Sequence, residues 1–142
     1  MPYTDERTGL EVVTLAECVR YLESKEVARV AFAADDRIHV YPVNYVWDGE
    51  AIVFRSEVDS TVAGALGSEV VLEVDHLEPR ERDGWSVIAR GLLELVDPER
   101  TPELAARLRR LALYPWAGGE KEMWMRVLPA PLTGRRARRS IL

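Results

Sequence analysis

The feature that most limits how this chain can fold is a succession of short β-prone runs, several of them apolar at consecutive positions. ARVAFAA begins at Ala28, IHVYPVNYVW and AIVFRS follow, and then come EVVLEVDHL, WSVIARGLLELV and EMWMRVLPAPL. Between them lie the polar stretches Asp35-Asp36-Arg37, Asp48-Gly49 and EPRERDG, each short enough to be a turn. Asp-Gly is the composition of a two-residue hairpin, whose central residues take positive φ. A strand with one wet side alternates polar and apolar residues; AIVF does not, so both of its faces must be covered. About six strands with short connections and two buried faces indicate a closed barrel or a sandwich rather than an open sheet.

Helices interrupt this meander. Thr14 followed by Glu17 is a capping-box pattern, and Leu15, Cys18, Val19 and Leu22 then recur at helical spacing. A second helix is expected to open at Asp59-Ser60-Thr61. A third is expected at Thr101-Pro102-Glu103, where Thr caps, Pro occupies the first turn and Leu104, Leu108 and Leu111 form the buried stripe. The fold class is therefore α+β, a small barrel with flanking helices. Its 142 residues make one domain, residues 1–142, large enough to bury roughly 68–70% of the unfolded chain's surface without a disulfide or metal. The one cysteine excludes an internal disulfide, and on an inward stripe Cys18 reads as a small core residue. No apolar run is long enough for a signal peptide or a membrane helix, which leads us to expect a cytoplasmic protein with no membrane partner.

The net charge of −5 hides an asymmetry: from Arg126 onward there are five arginines and no acid, so the preceding residues carry 19 − 5 = 14 basic against 24 acidic groups, a net of −10. An acidic body with no basic face interleaved with aromatics speaks against nucleic acid and for a small anionic ligand. Arg55, at the end of AIVFRS, offers a guanidinium fork suited to phosphate, and the hydroxyls of Ser60 and Thr61 stand at the start of the expected helix. The competing reading is that Ser60 or Asp59 caps that helix while Arg55 pairs with Glu57 or another surface acid. Pro42 cannot donate to a ladder, so it belongs at an edge or bulge, and a flat ligand could use the backbone around Val43, Asn44 and Tyr45. Among Trp47, Trp85, Trp116 and Trp124, the loop setting Pro115-Trp116-Ala117-Gly118-Gly119 marks Trp116 as a contact residue. His39 and His76 have no metal-ligand spacing, and neither a Ser-His-Asp order nor a P-loop is present.

In order, GLEVVTLAEC, ARVAF, PVNYVWDGEAIVFRS, VVLEVD, GWSVIARGLLELV, PWA and TGRR resemble the flavin-binding split-barrel proteins related to pyridoxamine 5'-phosphate oxidase, especially their small actinobacterial and nitroimidazole-resistance-like branches. The resemblance spans nearly the whole chain. It implies a six-stranded antiparallel split barrel of Greek-key order that forms a homodimer with flavin at the interface. By that resemblance Pro42, Val43, Asn44 and Tyr45 run past the flavin ring, Phe54, Arg55 and Ser56 flank ring and ribityl chain, and Arg55, Ser60 and Thr61 surround the phosphate. Trp85, Trp116, Arg135 and Arg136 approach the flavin or the dimer seam. Many relatives have a lysine where this chain has Thr61, and Glu57 and Asp59 lie close by, which weakens the expected hold on FMN. The implied function is an FMN-dependent oxidoreductase acting on a small molecule; a deazaflavin-dependent reductase, a non-catalytic flavin- or heme-binding protein and a basic-tailed interaction module are the alternatives.

Overall fold

The computed structural model describes residues 3–138. Two short N-terminal strands, β1 (Tyr3–Thr4) and β2 (Glu11–Val12), precede helix α1 (Leu15–Glu23). The six expected runs then become β3 (Val27–Ala34), β4 (Arg37–Trp47), β5 (Ile52–Ser56), β6 (Glu69–Glu78), β7 (Asp83–Leu95) and β8 (Met123–Val127), with α2 (Pro102–Arg109) between β7 and β8 and a last strand β9 (Leu132–Ala137). Every ladder is antiparallel, in the order β3-β4-β5-β8-β7-β6, and β6 returns to β3. The result is a closed six-stranded split barrel with two helices, the barrel that the family resemblance implied.

The two-faced apolar runs now have their reason. Inside the barrel Val30, Phe32, Phe54, Leu72, Val74, Val87 and Met125 form the main core. A smaller core lies outside the barrel wall, where α2 sets Ala105 and Leu108 against Val53, Val96 and Leu113. Alternation along β5 thus sends Ile52 and Phe54 inward and Val53 out to the helix. The barrel splits along β7, which pairs with β9 over Gly84–Ala89 and with β8 over Leu93–Leu95. Gly91 lies at the changeover, and a Cβ there would run into the Leu128 carbonyl oxygen; only glycine allows the two backbones to approach this closely.

Several local expectations need correction. In α1 the Thr14 hydroxyl does accept from the Glu17 N–H at 3.2 Å, and Cys18 and Leu22 are buried, but Leu15 is 65% exposed. At the first helical position a side chain points back beyond the helix start, so the stripe begins a turn later. At α2 Pro102 opens the first turn, yet Thr101 does not cap; its hydroxyl donates to the Asp97 carbonyl at 3.0 Å. The helix expected at Asp59 is a 3-10 turn of four residues, Val62–Ala65, followed closely by Gly67 at φ 82°. Asp48-Gly49 is not a two-residue hairpin loop: the ladder ends at Trp47 and Ile52, so the turn runs over Asp48–Ala51, where the Asp48 N–H donates to the Ala51 carbonyl at 3.0 Å and the Asp48 carboxylate accepts from the Glu50 and Ala51 N–H groups at 2.9 and 2.7 Å. Asp35 and Asp36, both at positive φ, make the tight turn instead. The run EMWMRVLPAPL divides into β8 and the start of β9 across a cis Ala130–Pro131 peptide. Among the described residues no helix is long and apolar enough to cross a membrane.

Candidate functional site

Strand β4 is the natural place to begin. It pairs with β3 from Arg37 to Asn44, but its ladder to β5 covers only Tyr45–Trp47. Its other edge therefore carries no ladder at Pro42 and Val43, and Pro42 sits on an edge rather than in a bulge. Between the end of α1, the last residues of β4 and the loop after α2, a cleft of about 490 Å³ opens, lined by Lys25, Asn44, Tyr45, Leu113, Tyr114 and Trp116. The Trp116 N–H donates to the Asn44 side-chain oxygen at 2.8 Å, which fixes the loop after α2 to the strand, and the Trp116 ring is 74% exposed. Tyr45 is buried and donates its hydroxyl to the Leu22 carbonyl at 2.6 Å; burial raises its pKa above the usual phenol value. On the far side of Trp116 a second hollow, about 500 Å³, is lined by Lys25, Glu26, Arg29 and Asp75.

The end of β5 divides its residues between two surroundings. Phe54 and Ser56 face the barrel interior and are buried. The Ser56 and Ser60 hydroxyls bond each other, and Ser60 Oγ accepts from the Ala63 N–H at 3.3 Å, so Ser60 caps the 3-10 turn. Thr61 is exposed and makes no capping bond. With a turn of only four residues in place of a helix, the dipole argument for an anion lapses.

Arg55 points to the other face. Its Nε donates to the Lys121 carbonyl at 3.0 Å, its Nη1 to the Leu113 carbonyl at 3.4 Å, and its guanidinium lies 4.9 Å from the centre of the Trp124 ring. Glu57 is instead the partner of Lys121, whose Nζ lies 2.8 Å from the Glu57 carboxylate. Lys121 thus brings a cation beside the 57–61 loop from 64 residues away. No spacing rule could have found it, because only the β5–β8 pairing brings its segment there. The same loop also borders a shallow hollow lined by Glu57, Asp59, Glu120 and Glu122.

Trp85, Arg135 and Arg136 form a separate group on β7 and β9. Trp85 stacks on Tyr21 with ring centres 4.2 Å apart. Arg136 donates to Glu11 at 2.7 Å, to Glu17 at 2.6 Å and to the Tyr21 hydroxyl at 2.9 Å, which fastens β2 and α1 to β9. Arg135 donates to the Gly134 carbonyl at 3.1 Å. None of the three lines the Trp116 cleft. Arg139, the last arginine of the basic end, lies outside the described residues.

Comparison with known proteins gives this geometry a context. A family described as pyridoxamine 5'-phosphate oxidase matches residues 14–136. An uncharacterized protein of Mycobacterium tuberculosis is 34% identical over 137 residues, covering 90% of this chain and 87% of that protein. The solved FAD binding protein of Mycobacterium smegmatis superposes with a TM-score of 0.76 at 33% identity, over 89% of this chain and 99% of that one. The FAD and heme binding protein of the same organism shares the fold alone, with a TM-score of 0.65 at 15% identity over 89% of this chain and 72% of its own. The barrel, its strand order and the match over residues 14–136 lead to one assignment: this chain belongs to the pyridoxamine 5'-phosphate oxidase family, and flavin-binding proteins are among its structural neighbours.

Proposed function

We propose that the chain is a flavin-dependent oxidoreductase that binds FMN and acts on a small molecule, working as a homodimer with the flavin at the interface. One observation carries this reading: the unpaired edge of β4 at Pro42 and Val43 leads into the Trp116 cleft, within reach of the segment that Arg55 anchors. A cleft of about 490 Å³ falls within the size range of small-molecule sites. The residues fit a flavin in kind. The backbone of Pro42, Val43 and Asn44 would flank the ring, Trp116 would cover it, Ser60, Thr61 and Lys121 would face the phosphate end, and Arg55 would hold the Leu113 and Lys121 segments in place rather than meet the phosphate. Bound flavin supplies the hydride and electron chemistry. The chain's own work is then to hold the ring against β4, keep Asn44 and Trp116 in register and exclude water from the cleft.

The test is a titration of cofactor-free protein with FMN, FAD, riboflavin and a deazaflavin coenzyme, read by fluorescence, followed by reduction with NADH or NADPH. FMN binding stronger than riboflavin, with loss of that preference in Lys121→Ala, supports the reading. Equal binding of FMN and riboflavin refutes phosphate recognition, and tighter binding of the deazaflavin coenzyme replaces FMN as the cofactor. A flavin-loaded protein that neither donor reduces is a binding protein, not an oxidoreductase.

A further inference from the structure

A chain of side-chain hydrogen bonds runs from Lys25 through His76 to Glu78. Lys25 stands in the turn between α1 and β3, and the antiparallel ladder that sets Arg29 opposite Glu73 carries this turn to the last residues of β6, so that Lys25 meets a partner 51 residues away. Its Nζ lies 2.8 Å from His76 Nδ1, and His76 Nε2 lies 2.8 Å from the Glu78 carboxylate. An ammonium has donors only, so Nδ1 accepts, and the ring proton sits on Nε2, which donates it to Glu78. One tautomer is thereby fixed. Trp85 flanks the imidazole with ring centres 6.5 Å apart. Lys25 is half-buried and lines both the Trp116 cleft and the hollow on its far side.

We propose that Lys25 is a nucleophile that captures small aldehydes as a Schiff base, with His76 as its base and Glu78 as the residue that positions the imidazole. A nucleophile at a cleft, a base within hydrogen-bond reach and a third group orienting that base are the arrangement that activates a side chain for covalent chemistry. The chain carries its own contrast, because it has only two lysines, Lys25 and Lys121. The Nζ of Lys121 is bound to the Glu57 carboxylate at 2.8 Å and to the Gly118 carbonyl at 3.1 Å, with no imidazole beside it.

The step balances without a redox partner. His76 Nδ1 takes a proton from the Lys25 ammonium, and the freed amine attacks the carbonyl carbon, forming the C–N bond as an electron pair moves onto oxygen. A proton then passes from that nitrogen to the oxygen. The imidazolium gives its proton to the resulting hydroxyl, the C–O bond breaks, and water departs to leave a protonated imine on Lys25. One ammonium and one aldehyde thus become one iminium and one water, and His76 ends as it began. The exposed rings of Tyr114 and Trp116 at the same cleft offer flat apolar faces, which suits an aromatic aldehyde. Glu23 and Glu26 also line the cleft and act against an aldehyde that carries negative charge.

Reductive trapping tests this without any cofactor, and so separately from the flavin reading. The purified full chain is treated near neutral pH with benzaldehyde and excess cyanoborohydride, so that imine formation limits the rate, and peptide mass spectrometry follows benzylation of Lys25 and Lys121. We expect Lys25 to be modified roughly tenfold faster than Lys121 or more. In His76→Gln the amide oxygen can still hold Lys25 but cannot carry a proton, so most of that lead should vanish while Lys121 keeps its rate. Glu78→Gln should slow Lys25, and NMR of labelled imidazole should show the Nδ1–H tautomer appearing in it. Equal rates at the two lysines, or a His76→Gln variant, folded by circular dichroism, that keeps the lead, overturn the proposal, since access alone would then explain the reactivity. An unchanged tautomer and rate in Glu78→Gln overturn its positioning role.

Discussion

Arg55 offers the sharpest prediction, because its contacts imply a role different from that of a free phosphate-binding arm. In Arg55→Ala the carbonyls of Lys121 and Leu113 lose their donor and Trp124 loses the cation over its ring. The Lys121 bond, at 3.0 Å and charge-assisted, contributes about 1.5 kcal/mol. The Leu113 bond, longer at 3.4 Å, adds about 0.5 kcal/mol, and the stacking on Trp124 adds about 0.5 kcal/mol more at this partly exposed site. The sum is about 2.5 kcal/mol, and with a urea slope of about 2 kcal/mol/M the unfolding midpoint should fall by roughly 1 M. Arg55→Lys should recover less than half of this, because one ammonium on a flexible stem cannot meet both carbonyls and stack at once. Urea unfolding of cofactor-free protein, followed by tryptophan fluorescence, reads the effect without any ligand. A midpoint within about 0.2 M of wild type would show that these contacts do not anchor the segment, and the anchoring argument would be wrong.

Three more substitutions probe the packing. Gly91→Ala should destabilise by at least about 2 kcal/mol, because its Cβ meets the backbone of Leu128. Gly64→Ala, whose Cβ meets nothing within 4 Å, should stay within about 0.5 kcal/mol of wild type; thermal melts of the pair give the comparison. Tyr45→Phe leaves the buried Leu22 carbonyl without its donor and should cost about 1–2 kcal/mol at pH 7. The fold raises the Tyr45 pKa by burial, so the native state keeps a proton that the unfolded chain releases. Stability from this source is therefore full below pH about 10 and lost as the pH climbs further, and Tyr45→Phe should flatten that alkaline decline in urea unfolding between about pH 9 and 11.

The barrel was legible because its signal is periodic and local. AIVF could not have a wet side, and burial of Val53 under α2 and of Phe54 in the barrel is what that pattern requires. Thr14 and Glu17 marked a real helix start for the same reason, since both partners lie within one turn. The misreadings fall where a local cue was overruled by distant packing. Asp48 looked like a hairpin residue and became a loop cap, and Thr101 looked like a cap and donates to Asp97 instead. The site was least legible. Arg55 was picked out for its charge, but its partners are main-chain oxygens more than fifty residues away, and backbone carbonyls leave no trace in sequence. Lys121 and the Lys25–His76 pair were missed for a related reason: strand register, not spacing, brings them to their partners.

The pairing of β2 with β9 sets the order in which this molecule can be completed. Glu11 and Val12 lie opposite Arg136 and Arg135, so these two residues acquire their neighbours only once synthesis has passed Arg136. Until then α1 lacks the arginine that ties Glu17 and Tyr21 to β9, and Cys18 lacks the backbone of Gly134 beside it. The barrel strands β3 to β8 can associate earlier, while the N-terminal segment waits outside. Closing so long a loop is slow, and the interval leaves the free edge of β7, from Gly84 to Ala89, open to any other strand in the crowded cell.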